Sequence, residues 1–141
     1  EEKAAVLVRY LLDTDICIYI ARRKPGALRA RWEAMEVGEM GMSIVTYLEL
    51  VHGAIKSQQP DTNLARVEEL REVLPVLPLG AGVAIHYGRI RADLEKKGLP
   101  IVPFDLVIAA HAVSLCLTLV TANVREFARV EGLQVENWAR R

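Results

Sequence analysis

The chain has 141 residues, 52% of them hydrophobic and 26% charged. That is enough apolar material for a core in one domain spanning 1–141, and it excludes a disordered chain. Lys plus Arg and Asp plus Glu are equal at 18 each, so the formal net charge is zero and no general basic excess marks a nucleic-acid binder.

Residues 6–12 form an apolar run broken only by Arg9, the pattern of a buried parallel strand. Residues 16–22 and 27–35 read as helices, and 41–45 as a second short strand. Residues 46–57 read as a helix, with Thr46 as N-cap and Glu49 completing a capping-box spacing. Leu64, Val67, Leu70 and Leu74 recur at helical spacing within 63–74. A weak third strand, 76–79, is pinched by Pro75 and Pro78. A helix over 83–97 is stopped by Gly98. A helix over 104–115, a strand over 118–121 and an edge strand over 133–136 complete the pattern.

Strands separated by helices imply an α/β fold with a mostly parallel sheet of four or five strands, flanked by helices in three layers. Such sheets bind ligands beyond the carboxyl ends of their strands, where the strand order reverses. Asp13 directly follows the first strand, and Asn123 and Glu126 follow the strand over 118–121. Glu49 lies early in a helix among Val45, Leu48, Leu50 and Val51, a poor setting for a solvated carboxylate. Asp105 opens a helix after Pro103-Phe104.

Each acid also has a plain structural role open to it: Asp13 and Asp105 as helix caps, Glu49 as half of a capping box. Four acids from four elements all fall beside apolar runs, and the fold rule sends at least two of them to the same sheet edge. Converging carboxylates repel and raise one another's pKa unless a cation offsets the charge. Oxygen ligands favour Mg²⁺ or Mn²⁺, and no Cys/His spacing suggests zinc. Carboxylate-held Mg²⁺ suits phosphodiester cleavage, in which the ion activates a water and polarises the phosphoryl oxygen.

The stretch from Leu11 through Asp13-Thr14-Asp15 to Ile20 resembles the opening of the VapC-type PIN-domain toxins, which usually read Leu-Asp-Thr-Asn. Residues 43–53, with Glu49 and Gly53, resemble their second motif. Pro103-Phe104-Asp105 with residues 108–112 resembles the third, and residues 119–127 the fourth. The motifs run in order across nearly the whole chain. The resemblance implies a PIN fold and a Mg²⁺- or Mn²⁺-dependent ribonuclease that cuts structured RNA, often transfer RNA and in the nearest pattern initiator transfer RNA. It implies inhibition of translation, a VapB-type antitoxin and a homodimer. Carried over by position, Asp13, Glu49 and Asp105 are the metal-binding acids. Glu126 is the fourth, a place contested by Asn123, which is Asp in some branches. Asp15 departs from the usual Asn and is expected as a helix cap or in the second shell of the metal.

Thr14 is expected to orient Asp13 or water, or to cap a helix; Ser43 and Thr46 to touch phosphate or, more simply, to bond local backbone. Arg22, Arg23 and Lys24 are either an RNA-facing patch or a solvated helix end. His52, His86 and His111 are expected in structural or surface positions, and Gly53 in close packing near the site. Cys17 and Cys116, each among apolar neighbours, read as core thiols in a reducing cytoplasm. No apolar run reaches the length of a membrane span, and no secretory signal is visible.

Two other readings compete. A strand followed by Asp-Thr-Asp also opens the haloacid-dehalogenase phosphatases, where Asp13 would be a covalent nucleophile and Asp15 a general acid. Cys17 stands where they have Thr or Val, and their downstream lysine is missing. The third reading is a non-catalytic α/β interaction module.

Overall fold

Tyr10–Leu12 forms β1, the centre of a five-stranded parallel sheet in the order β3-β2-β1-β4-β5. The computed structural model describes residues 7–139; Val6 of the expected first strand lies outside the described residues. In chain order follow α1 (Thr14–Ala21), α2 (Ala27–Ala34), β2 (Met40–Ser43), α3 (Ile44–Ile55), α4 (Pro60–Val73) and β3 (Val76–Leu77). Then come α5 (Val83–Lys96), α6 (Pro103–Ser114), β4 (Thr118–Val120), α7 (Val124–Phe127) and β5 (Val135–Glu136). The expected mostly parallel sheet is parallel at every pairing.

β1 is apolar throughout because both of its faces are covered. Tyr10 and Leu12 enter a core with Ile16, Leu28, Met42 and Leu70. Leu11, pointing the other way, joins Ile108, Leu119 and Phe127 in a second core. Each fully buried aliphatic side chain of this kind contributes about 1.5–3 kcal/mol. Trp138 closes the first core: its ring meets Tyr10 edge-on, 5.2 Å between centroids, and lies under the Arg31 guanidinium.

From β1 the chain steps outward to β2 and β3, then crosses back to place β4 on the other flank of β1. The direction of winding therefore reverses between β1 and β4. At such a point the connections leave the sheet on opposite faces and open a crevice. Asp13 stands on one lip and Thr121 on the other.

Several expectations are corrected. α3 begins at Ile44 and not at Thr46: the Ser43 hydroxyl accepts from Val45 N at 3.2 Å, so Ser43 is the N-cap and Thr46 is buried within the first turn. A buried run such as Ile44-Val45 fits a strand end or a helix start equally well, and the cap decides. Cys17 is a core thiol, but Cys116 is exposed, because it sits with φ 57 in the left-handed turn that ends α6. Gly53 is not closely packed: a Cβ there would meet nothing within 4 Å. Among the described residues no helix is long and apolar enough to cross a membrane. Arg140 and Arg141 lie outside the described residues.

Candidate active site

Asp13 leaves β1 in an extended conformation and caps α1, accepting from Thr14 N at 2.8 Å. Its other oxygen accepts the Thr121 hydroxyl at 2.7 Å. The capping role and the site role therefore fall on the same residue. Only 5% of Asp13 is exposed. Burial pushes its carboxyl up from 3.8 to about 7; the nearby charges of Asp15 and Asp105 add to this, and the two hydrogen bonds oppose it.

Asp105 is the third residue of α6, whose N-cap is Val102, so it is not the cap. A helix N-terminus favours negative charge. Here that is outweighed: burial, then the charges of Glu126, Glu49 and Asp15, push the carboxyl up to about 6. Asp13 and Asp15 at the start of α1, Glu49 on α3, Asp105 on α6 and Glu126 on α7 thus share one field, around the carboxyl ends of β1 and β4.

Glu49, half-buried on the second turn of α3, accepts the Thr14 hydroxyl at 2.9 Å. The Thr14 oxygen in turn lies 3.2 Å from that of Thr46, so Thr46 donates to it. Thr14 therefore ties α1 to α3 through its side chain and steadies Asp13 through its backbone. With α3 capped by Ser43, Glu49 has no capping-box role. Glu126, on α7, accepts from the Asn123 side chain. Asn123 is exposed and neutral, and its amide holds the Glu126 carboxylate.

Asp15 is exposed at the mouth, with one oxygen on Ile16 N at 2.8 Å and the other near Ala122 N at 3.3 Å. It bonds local backbone and adds charge to the field. The Ser43 hydroxyl accepts from Val45 N and shares a hydrogen bond with His111 Nδ1 at 2.8 Å. His111 is buried, its pKa lowered chiefly by that burial, and its neutral ring ties α6 to the start of α3. It thereby braces the helices that carry Asp105 and Glu49.

Thr121 and Thr46 were readable only as hydroxyls near a strand or helix end; their partnerships come from tertiary packing. Arg22, Arg23 and Lys24 lie at the exposed end of α1. Arg23 is engaged in an ion pair with Glu69 at 2.9 Å.

Among the described residues no three acids are close enough to form a ready-made coordination shell. The carboxylates share one electrostatic field as a looser ring; Asp13, Glu49 and Glu126 are held by hydroxyls, a backbone N–H or an amide, and Asp105 by its place in the first turn of α6. Mg²⁺ keeps several of its waters and takes only one or two carboxylates directly, so it does not require three ligands in place. The donor set is all oxygen, and the raised pKa values of Asp13 and Asp105 mark a place where positive charge is stabilised. The residues fit a hard divalent cation.

The PIN-domain family model matches residues 10–133. The tRNA(fMet)-specific endonuclease VapC of Shigella flexneri is 45% identical, over 94% of this chain and 100% of its own length. Ribonuclease VapC2 of Haemophilus influenzae is 42% identical, over 94% of this chain and 99% of its own. Among solved structures, the DNA-bound VapBC of Salmonella typhimurium aligns with a TM-score of 0.88 at 42% identity, covering 94% of this chain and 99% of that one.

Proposed function

This chain belongs to the PIN-domain family, in its VapC branch, and from that premise we propose that it is a metal-dependent endoribonuclease, the toxin of a toxin–antitoxin pair. The observation that supports this most is the field shared by Asp13, Glu49, Asp105 and Glu126 at the point where the sheet changes direction. Relatives named for cleaving tRNA(fMet) support initiator transfer RNA as the substrate, and its loss would stop translation in the cytoplasm.

Bound in the ring, Mg²⁺ or Mn²⁺ would polarise the scissile phosphate and activate the attacking water. Asp13 is fixed for holding the ion, since both of its oxygens are already oriented by Thr14 and Thr121. Glu49 is aimed by the Thr14 hydroxyl and Glu126 by Asn123. Asp105, half-buried at the helix start, completes the ring. No residue of the ring forms a covalent intermediate.

Solved relatives that are VapBC complexes support a VapB-type antitoxin as the partner. Exposed apolar side chains at both ends of α6, Val102, Phe104 and Leu115, support a homodimer. The phosphatase reading is disfavoured by Asp15. Both of its oxygens accept backbone N–H groups, so it is placed as a carboxylate and not as a proton donor.

The test is cleavage of initiator tRNA by the purified chain. Cleavage is expected with Mg²⁺ or Mn²⁺ and not with EDTA. Asp13→Asn, Glu49→Gln and Asp105→Asn should each lower the rate by on the order of 100-fold or more, the scale of lost metal-site interactions. Metal-independent cleavage, or full activity in any of the three variants, would count against this reading.

A further inference from the structure

A groove of about 290 Å³ runs between α1, α3 and α4 and has Glu49 on its wall. It is therefore continuous with the acidic ring. Its floor is apolar, built from Ile18, Leu50 and Val67, and Arg22 and Arg66 stand on its rim. The same two arginines line a second depression that also holds Lys24.

The position of these cations sets them apart. Among the described residues Arg9, Arg23, Arg29, Arg31, Arg71 and Arg91 are in ion pairs. Arg22, Arg66, Arg89, Arg125 and Arg129 are in none, and of these only Arg22 and Arg66, both exposed, stand on the groove that Glu49 lines. In a chain of zero net charge, two unpaired guanidiniums beside a carboxylate ring are a local separation of charge. A guanidinium offers a fork of N–H donors suited to phosphate. The apolar floor next to it suits the face of a base.

Gly53 contributes a further observation. It lies in α3 on the groove wall, where glycine costs helix stability, yet a Cβ there would meet nothing within 4 Å. Packing does not require glycine at this position; any side chain would project into the groove.

We infer that this groove seats the nucleotide adjoining the scissile bond, its phosphate on Arg22 and Arg66 and its base on the apolar floor kept open by Gly53. The inference rests on the ribonuclease reading and adds to it a substrate subsite. It revises the basic patch: Arg66, distant in sequence, belongs to it, and Arg23, held by Glu69, does not.

The test uses the full chain and initiator tRNA, with cleavage kinetics in Mg²⁺ and binding by fluorescence anisotropy in EDTA. Arg22→Ala and Arg66→Ala should each raise KM about tenfold with kcat nearly unchanged. Each should flatten the dependence of log affinity on log salt by about 0.7, the value for one single-strand phosphate contact. Arg66→Lys should restore the salt slope but only part of the affinity, because the ammonium keeps the charge without the fork. Gly53→Leu should fill the groove and raise KM without lowering Tm. Arg89→Ala, an exposed cation on α5, serves as the control and should change nothing.

Wild-type cleavage with KM and salt slope unchanged in the arginine and Gly53 variants would overturn the subsite while leaving the ribonuclease intact. So would variants that weaken only antitoxin binding, which would assign the groove to a protein partner. A wild-type chain that neither binds nor cuts the RNA would overturn both readings.

Discussion

Replacing Asp13 by Asn removes the most costly buried charge in the site. Its carboxyl rises from 3.8 to about 7 on folding, which corresponds to at most about 4 kcal/mol of penalty on the ionised form. Asparagine keeps an acceptor for one partner but turns an amide toward the other, giving back about 1–2 kcal/mol. The variant is therefore expected to be about 2 kcal/mol more stable than wild type at pH 8 in EDTA. The sign follows from proton binding. The folded state holds this proton more tightly than the unfolded chain, so wild-type stability falls as pH rises from about 4 toward about 7. Asp105, raised to about 6, acts in the same direction; because its charge also repels Asp13, the difference between the two proteins includes relief of that repulsion. Urea unfolding followed by tryptophan fluorescence at pH 4, 6 and 8 measures it. The advantage of Asp13→Asn should be absent at pH 4 and grow with pH. A difference independent of pH, or a variant less stable at pH 8, would refute the claim that Asp13 is a strained buried charge.

Two further outcomes follow from neighbouring contacts. Thr121→Val keeps the shape but removes the hydroxyl that donates to Asp13 and accepts from Asn123 N; it should cost about 1.5–3 kcal/mol, the scale of a hydrogen bond to a charged group, read as a lower urea midpoint at pH 8. A thiol reagent should label one cysteine rapidly in the native chain, Cys116, and the second only on unfolding, because Cys17 is fully buried with its pKa raised by burial and by Asp13 and Asp15.

Much of this was readable from residues alone. The position of Asp13 followed from an apolar strand ending in a carboxylate, and that of Asp105 from a helix opening after proline. The start of α3 was not readable, because Ser43 and Thr46 are both competent caps and Ile44-Val45 fits either element. The single turn of α7 is too short to show a period, although it carries Glu126. Cys116 has apolar neighbours in sequence, but a left-handed turn carries it to the surface. The groove was invisible for a different reason. It is made by three helices packing together, and the pairing of Arg23 with Glu69 that leaves Arg22 and Arg66 unpaired spans 46 residues.

The central claim is that acids from four elements act as one cation site. Titration with Mn²⁺ followed by electron paramagnetic resonance tests it without RNA or catalysis. Wild type should show saturable binding at neutral pH, and Asp13→Asn, Glu49→Gln and Asp105→Asn should each weaken it sharply. Binding that is equally strong in all four proteins, or absent from folded wild type, would contradict the account.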